Sequence, residues 1–144
     1  MEINKLTPNM AVADIRQTVK FYCDNLGFKL IVAIPESQDG AEQELSEGKE
    51  YVYAMLQKDH AELMFQRLDS FKEDVPSADK VSLVGASVSF YMQGNGIESF
   101  YEELKSKNIQ VSELKQTWYG IKEFYLKDNN GYILCFAEDV KPAN

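Results

Sequence analysis

Histidine and cysteine, which many catalytic and metal sites use, are rare in this chain. The 144 residues include one histidine, His60, and two cysteines, Cys23 and Cys135. A metal site with two histidines therefore cannot be built from one copy of the chain. A cysteine nucleophile needs an adjacent base, and the sequence supplies none for Cys135. His60 falls near the turn of a predicted hairpin, which favours a surface histidine over a ligand or a catalytic base.

Known catalytic motifs are absent as well. The sequence contains no G-x-S-x-G nucleophile elbow, no phosphate-binding P-loop and no C-x-x-C pair. The stretch Gly94-Asn95-Gly96 is typical of a turn, because it lacks the longer glycine fingerprint of a phosphate-binding loop. The sequence therefore favours a binding site over a site of covalent catalysis.

The composition limits the class of protein. Hydrophobic residues make up 44% and charged residues 26%, which is ordinary for a soluble globular domain. The net charge of −8 argues against nucleic acid, whose phosphates require a basic surface, and suits either a cationic or neutral ligand or simple solubility. No apolar run approaches the roughly 20 residues that cross a bilayer, and the N-terminus has no apolar signal core. We therefore expect no membrane partner, a cytoplasmic location and reduced cysteines.

One segment pattern occurs twice, and this duplication predicts the architecture. Residues 12–22 and 90–101 each begin with a short apolar strand and continue, after a polar break, into a helix that carries a Phe-Tyr pair. A turn residue, Gly27 or Asn108, then leads into another strand. Each half goes on with a predicted hairpin and so follows the order βαβββ. Two matching halves that each curl a small sheet can enclose a cleft, which suggests a small-molecule site.

Local signals predict the limits of the elements. A strand is expected over residues 6–13, and Asp14 is expected to cap a helix that Gly27 ends. A mobile polar loop is expected over residues 35–49, and residues 128–131 have the composition of a hairpin turn. We predict a single domain over residues 1–144, made of a first module, 1–66, a connection, 67–85, and a second module, 86–138.

Two long segments are similar to the beginning and the end of bleomycin-resistance proteins. They are LTPNMAVADIRQTVKFYCDNLGF at residues 6–28 and WYGIKEFYLKDNNGYILCFAE at residues 118–138. With the duplicated βαβββ pattern, they resemble the glyoxalase, bleomycin-resistance and extradiol-dioxygenase superfamily, also called the vicinal oxygen chelate fold. The resemblance implies an α+β fold in which two βαβββ modules form curved mixed sheets around a cleft, and it implies a homodimer. This fold hosts both enzymes and non-enzymatic binding proteins.

Members of this superfamily that use a metal place its ligands on the first and last strand of each module. The resemblance assigns these positions to Thr7, Glu62, Ser87 and Cys135. Neutral hydroxyls are weak ligands, whereas sites for Zn²⁺, Ni²⁺ or Fe²⁺ want at least three imidazole, carboxylate or thiolate groups. We therefore expect no metal and no other cofactor.

Strand alternation tests these positions without the resemblance, because side chains two residues apart share one face of a sheet. On the predicted strand 86–92, Val88, Phe90 and Met92 form an apolar face that suits packing under a helix. Ser87, Ser89 and Tyr91 form the opposite, mixed face. The other predicted metal positions fall on the corresponding mixed faces of their strands. A plain solvent-exposed face would alternate in a similar way, so both interpretations stay open.

Glu62 and several aromatic residues are candidates for ligand contact. A carboxylate on a concave wall needs water, hydrogen bonds or a cation, so Glu62 either anchors a cationic ligand or is a solvated strand residue. Trp118 and Tyr119 precede the last predicted hairpin, where flat rings can stack on a planar or cationic ligand. Tyr53 and Met64 can supply an adaptable apolar wall, although ordinary packing explains such residues more often.

The predicted function is metal-independent binding of a small organic molecule, cationic or aromatic, as in the sequestration of an antibiotic or another toxic compound. We expect a binding protein rather than an enzyme, and we assign no catalytic residue. A metal-dependent lyase, isomerase or dioxygenase with an unusual ligand set is the alternative, and an accessory module with a vestigial cleft is a third possibility. The predicted ligand-binding residues are Thr7, Asn9, Tyr53, Glu62, Met64, Ser87, Ser89, Tyr91, Trp118, Tyr119 and Cys135.

Overall fold

The computed structural model describes residues 1–78 and 87–141 of the chain. These residues belong to two compact units, Met1–Leu83 and Val84–Asn144. Within the described residues, each unit forms one four-stranded sheet. The module limits predicted from the sequence, 1–66, 67–85 and 86–138, stay predictions.

The first unit has the predicted order of one strand, one helix and three strands. Its sheet has the strand order β1-β4-β3-β2, in which β1 runs parallel to β4 and the other neighbours are antiparallel. A further helix and a short 3-10 turn follow β4, inside the stretch predicted as a connection. The elements are β1 (Asn9–Val12), α1 (Ile15–Leu26), β2 (Lys29–Pro35), β3 (Tyr51–Lys58), β4 (Ala61–Arg67), α2 (Leu68–Asp74) and the turn Pro76–Ala78.

Local signals set both ends of α1. Asp14 is extended, and its carboxylate accepts a hydrogen bond of 2.8 Å from the Gln17 backbone N–H. This contact satisfies one of the amide groups that a helix start leaves free. Gly27 ends the helix with a φ of +77°, in the left-handed region that favours glycine. Both predicted ends of the helix are confirmed.

The apolar core of the first unit lies between α1 and one face of its sheet. Phe65 is fully buried, and its ring centroid lies 4.9 Å from that of Tyr22 on α1. Phe65 pairs with Met10 on β1 and with Ala54 on β3. Burial of the apolar side chains on this face leaves polar and mixed residues for the opposite face.

The polar loop between β2 and β3 is fastened to the unit at several points. Glu42 exchanges two backbone hydrogen bonds with Ala33, at 2.7 and 2.8 Å. The Arg16 guanidinium donates to the carbonyl oxygens of Ser46 and Lys49, at 2.6 and 2.7 Å. The loop itself was predicted from its composition, but these attachments depend on residues that the fold brings together.

The second unit repeats the same topology. Its sheet has the strand order β5-β8-β7-β6, in which β5 runs parallel to β8. Among the described residues, no helix has both the length and the apolar character that crossing a membrane requires. The elements are β5 (Ser89–Gln93), α3 (Ile97–Ser106), β6 (Lys115–Gln116), β7 (Ile121–Lys127) and β8 (Ile133–Asp139).

The start of α3 is capped by a residue from the far end of the unit. The Glu138 carboxylate on β8 accepts hydrogen bonds from the backbone N–H groups of Gly96 and Ile97, at 3.0 and 2.8 Å. Gly96 has a φ of +85°, which a glycine adopts without strain. A carboxylate at this position also complements the positive end of the helix dipole.

The two modules repeat one core contact. Phe136 pairs with Met92 across β8 and β5, as Phe65 pairs with Met10 across β4 and β1. In the second unit the ring over this phenylalanine is Phe100, again at 4.9 Å. The predicted α+β fold of two βαβββ modules is confirmed.

Two strands are shorter than predicted. β1 begins at Asn9 rather than at residue 6, and β5 begins at Ser89. The predicted start of β5, Ala86, lies outside the described residues, as do residues 79–85 of the predicted connection. Val88 was expected to pack under a helix, but it precedes β5 and is 53% exposed, so that expectation is wrong.

Candidate functional site

Five of the predicted site residues lie on one side of the first sheet, opposite α1. We call this side the Glu62 face. Asn9 pairs with Met64, Met64 pairs with Met55, and Tyr53 pairs with Gln66, so their side chains form neighbouring rows. All five are half-buried. The predicted residues on this face are Thr7, Asn9, Tyr53, Glu62 and Met64.

Glu62 already has a cationic partner within its own unit. Lys5 Nζ donates to Glu62 Oε1 at 2.8 Å, and Thr7 Oγ1 donates to the same oxygen at 3.3 Å. The hydrogen bond from Lys5 holds the pKa of Glu62 below its usual value, and Thr7 acts in the same direction. A cationic ligand would have to displace Lys5 in order to pair with Glu62.

This pairing predicts a specific pH dependence of stability. The folded-state pKa of Glu62 is lowered, so the pair stabilises the fold above the ordinary glutamate pKa of about 4.3 and is lost as the pH falls through the lowered value. The Glu62→Gln variant should therefore be less stable than wild type near pH 7, with the difference shrinking in acid. The effect should be small because the Lys5 side chain is 62% exposed, so that water and salt screen the pair.

Denaturant unfolding between about pH 3 and pH 7 measures this difference. Lys5→Gln is the matched variant, because it removes the other partner of the same ion pair. Its free energy of unfolding should fall by a similar amount near pH 7, and this difference from wild type should also shrink in acid. A stability difference for Glu62→Gln that grows in acid would contradict the assignment.

A second polar cluster on the Glu62 face connects β1, β4 and α2. Asn9 Nδ2 donates to Gln66 Oε1 at 2.9 Å. Gln66 Nε2 in turn donates to Ser70 Oγ at 2.9 Å and to Asp74 Oδ2 at 2.7 Å. The other amide oxygen, Asn9 Oδ1, is buried and accepts no hydrogen bond from any residue in the described ranges.

In the second unit, three residues form a row across three strands. Tyr91 on β5 pairs with Cys135 on β8, and Cys135 pairs with Tyr125 on β7. We call this side of the second sheet the Tyr91 face. The two tyrosines are 55% and 42% exposed, whereas Cys135 is only 1% exposed. The exposed rings therefore cover the cysteine, which sequence analysis expected to touch the ligand.

The Cys135 thiol is a poor nucleophile and a poor metal ligand. Burial raises its pKa, which disfavours the thiolate that both roles need. Its hydrogen bond with Tyr125 raises the pKa of Tyr125 to about 12. Both cysteines of the chain are free thiols. Cys135 is therefore better explained as the floor beneath the two tyrosines.

Glu123 is a carboxylate on the Tyr91 face that sequence analysis did not select. It lies two residues before Tyr125 on β7, so both side chains point to the same side. Burial raises the pKa of Tyr91, and the charge of Glu123 adds to this effect. Lys115 lies opposite Glu123 in the β6–β7 pairing, yet no lysine or arginine of the described residues is close enough to form an ion pair with it.

The loop before β7 presents two further aromatic rings. Trp118 is 94% exposed, and its ring meets that of Tyr119 edge-on at 5.1 Å. Electrostatic coupling to the Tyr119 phenol adds a small part to the raised pKa of both Tyr91 and Tyr125. Exposed aromatic rings of this kind can hold a planar or cationic group.

The two predicted serines differ in position. Ser89 is the exposed first residue of β5 and shares a side with Tyr91. Ser87 precedes the strand in an exposed turn, so strand alternation does not fix its direction. Alternation along β7 would have identified Tyr125 and Glu123, because the buried Phe124 between them marks the other face.

The four positions that the resemblance assigns to metal ligands do not suit a metal. Thr7 and Ser87 offer neutral hydroxyls, Glu62 is bonded within its unit, and the Cys135 thiol is buried. His60 is exposed in the β3–β4 turn, as predicted. The described part of the chain contains no group of three or more histidine, cysteine, aspartate or glutamate side chains arranged to hold a metal ion.

Comparison with known proteins agrees with this architecture. A bleomycin resistance protein of Geobacillus stearothermophilus is 24% identical over 142 residues, which cover 93% of this chain and 96% of that protein. The crystal structure of a bleomycin resistance determinant encoded on the transposon Tn5 aligns with a TM-score of 0.63 at 18% identity, covering 95% of this chain and 98% of that one. A glyoxalase/bleomycin resistance protein/dioxygenase from Nocardioides aligns with a TM-score of 0.69 at 16% identity, covering 100% of this chain and 89% of that one.

The family model for the glyoxalase/bleomycin resistance protein/dioxygenase superfamily matches residues 3–136, nearly the whole chain. That match spans both βαβββ modules and the two faces described above. The chain belongs to the glyoxalase/bleomycin resistance protein/dioxygenase superfamily.

Proposed function

We propose that this protein binds a small cationic or aromatic organic molecule without the help of a metal, and that this binding sequesters an antibiotic or another toxic compound. The observation that carries the proposal is the Tyr91 face. Exposed rings of Tyr91, Tyr125 and Trp118 lie in the same unit as Glu123, a half-buried carboxylate with no ion-pair partner among the described residues. Aromatic faces attract cations, and an unpaired carboxylate strengthens that attraction.

The mechanism would be binding alone. Stacking on the rings removes apolar ligand surface from water, and Glu123 pairs with a positive group. Within this proposal Glu123 takes the role that sequence analysis gave to Glu62, because Glu62 is paired with Lys5. Similarity to proteins named for bleomycin resistance supports bleomycin as the first ligand to test. The homodimer expected from the resemblance stays a prediction.

We expect metal-free bleomycin, or another cationic or aromatic compound, to stabilise the protein against thermal unfolding. At a hundred times its dissociation constant, such a ligand should add about 2.7 kcal/mol to the free energy of unfolding. The emission of Trp118 should change in the same titration, since its ring is exposed to the solvent. Thermal shift and fluorescence titration against a panel of planar, cationic and neutral compounds measure both effects.

Glu123→Gln tests the charge pairing, and Glu113→Gln is the matched control at an exposed position outside β7. The first variant should weaken binding of cationic compounds about tenfold and leave neutral aromatics unchanged, whereas the control should change neither. If no compound of the panel binds, the proposed function is wrong. If Glu123→Gln binds cations as well as wild type does, the role of Glu123 is wrong.

A further inference from the structure

The hydrogen bonds that connect Asn9, Gln66 and Asp74 fix the orientation of both amide groups. The Asp74 carboxylate at one end can only accept hydrogen bonds. Gln66 therefore turns its amide nitrogen toward α2, where Nε2 donates to Asp74 Oδ2 and to Ser70 Oγ. The reverse orientation would place the Gln66 oxygen against the Asp74 carboxylate. Asp74 thus fixes which end of the Gln66 amide points away from α2.

The orientation of the Gln66 amide in turn fixes that of the Asn9 amide. Gln66 directs Oε1 toward β1, where it accepts a hydrogen bond of 2.9 Å from Asn9 Nδ2. The same oxygen-to-oxygen conflict prevents Asn9 from turning around. Asn9 must therefore direct Oδ1 away from Gln66. A carboxylate on the unpredicted helix α2 has set the orientation of an amide on β1.

Asn9 Oδ1 is a buried acceptor that lacks a hydrogen-bond donor among the described residues. Buried acceptors without a donor are rare and unfavourable, so a donor that reached this oxygen would be bound with a net gain. The side chain of Asn9 as a whole is only half-buried. Met64 and Met55 lie beside it on the same face, with Tyr53 next to Gln66.

We infer that Asn9 Oδ1 is a specificity-determining acceptor, which selects ligands that carry an N–H or O–H group on a planar apolar body. Gln66 and Asp74 are positioning residues that keep this buried acceptor turned away from Gln66. The methionines and Tyr53 supply polarizable apolar contact for the body of the ligand. This inference rests on the proposed function, because it concerns the same class of ligand, and it assigns that class a contact surface on the first unit in addition to the Tyr91 face of the second.

Three small planar probes test the inference in the full-length protein. Indole carries an N–H donor, 1-methylindole replaces that hydrogen with a methyl group, and quinoline carries an acceptor nitrogen instead. Each is titrated into isotope-labelled protein and followed by the NMR shifts of backbone and side-chain amides. Indole should bind about tenfold or more tightly than either analogue, because the analogues leave the buried acceptor unpaired. The shifts should centre on Asn9, Met64 and Gln66.

Asp74→Asn allows the Gln66 amide to adopt either orientation, because an asparagine side chain can both donate and accept hydrogen bonds. The preference for indole over quinoline should fall about tenfold in this variant. If Asp74 had only a structural role, the variant would bind indole and quinoline more weakly by the same factor. Glu73→Gln, at the neighbouring exposed position, is the matched control and should keep the preference. Should Asp74→Asn fail to fold, Asn9→Ala serves instead, and it should abolish the difference between indole and 1-methylindole.

The outcomes separate the two proposals. Equal binding of all three probes by wild type, or shifts confined to residues 87–141, overturns the role of Asn9 and leaves the proposed function standing. An unchanged indole preference in Asp74→Asn and in Asn9→Ala overturns it as well. If no probe binds and the wider panel of planar and cationic compounds also fails, the proposed function is wrong and this inference falls with it.

Discussion

Replacing Phe65 with alanine should lower the free energy of unfolding by about 3–5 kcal/mol. Phe65 has no exposed surface, and its ring packs 4.9 Å from Tyr22 beneath α1. Its partner on β3, Ala54, is small and belongs to a continuous sheet, so it cannot fill the space that the ring would leave. The cost therefore includes a cavity as well as the lost transfer of apolar surface from water.

Denaturant unfolding at pH 7, followed by circular dichroism, measures this change. Ile31→Ala is the control, since Ile31 is 40% exposed on β2 and its truncation should cost about 1 kcal/mol or less. Phe136→Ala is the counterpart in the second unit, and it should fall at the lower end of the range because that ring is 9% exposed. A loss below about 1 kcal/mol for Phe65→Ala would contradict the packing described for the first unit.

The fold was predictable because its signals are local. The Asp14 cap, Gly27 in the left-handed region and the turn at residues 128–131 each depend on a few neighbouring residues. The duplication of the Phe-Tyr helix then gave the repeated topology. Such signals survive in a single sequence because the main-chain geometry that they select is the same in any fold.

The helix α2 was not predicted, for a physical reason. It is seven residues long and contains few apolar side chains, which is too short for helical periodicity to be read. The cap of α3 was also beyond local analysis, because Glu138 lies 42 residues away from Gly96. Contacts of this kind depend on the sheet that brings the two ends of a unit together.

The sheet faces that carry the candidate residues were predicted in part, whereas their role in binding stays a prediction. Strand alternation correctly grouped Asn9, Glu62 and Met64 on one face, but it did not predict the hydrogen bonds and the ion pair that these residues form. Lys5 lies 57 residues from Glu62, and their ion pair changes the expected role of that carboxylate. Gln66 is polar yet buried, and its partners lie on the helix that sequence analysis missed. Sequence analysis therefore predicted which face a side chain lies on better than it predicted the hydrogen-bond and ion-pair partners of that side chain.

Removal of the Asp128 carboxylate should be nearly as costly as the loss of a core ring. Asp128 is buried at the start of the β7–β8 turn, and its Oδ1 accepts hydrogen bonds of 2.8 Å from the backbone N–H groups of Asn130 and Tyr132. Hydrogen bonds to a charged group contribute about 1.5–3 kcal/mol each. Because the freed amides can partly regain water, we expect Asp128→Ala to lower the free energy of unfolding by about 3 kcal/mol.

Asp128→Asn distinguishes geometry from charge in this turn. Asparagine keeps an oxygen at the position of Oδ1, so both backbone N–H groups retain an acceptor, and the loss should stay near 1 kcal/mol. Denaturant unfolding of both variants at pH 7 measures the contrast. Equal losses in the two variants would mean that the negative charge, rather than the acceptor, stabilises the turn. A small loss in both would mean that Gly131, with its φ of +88°, is sufficient to form the hairpin, since the left-handed backbone alone would then specify the turn.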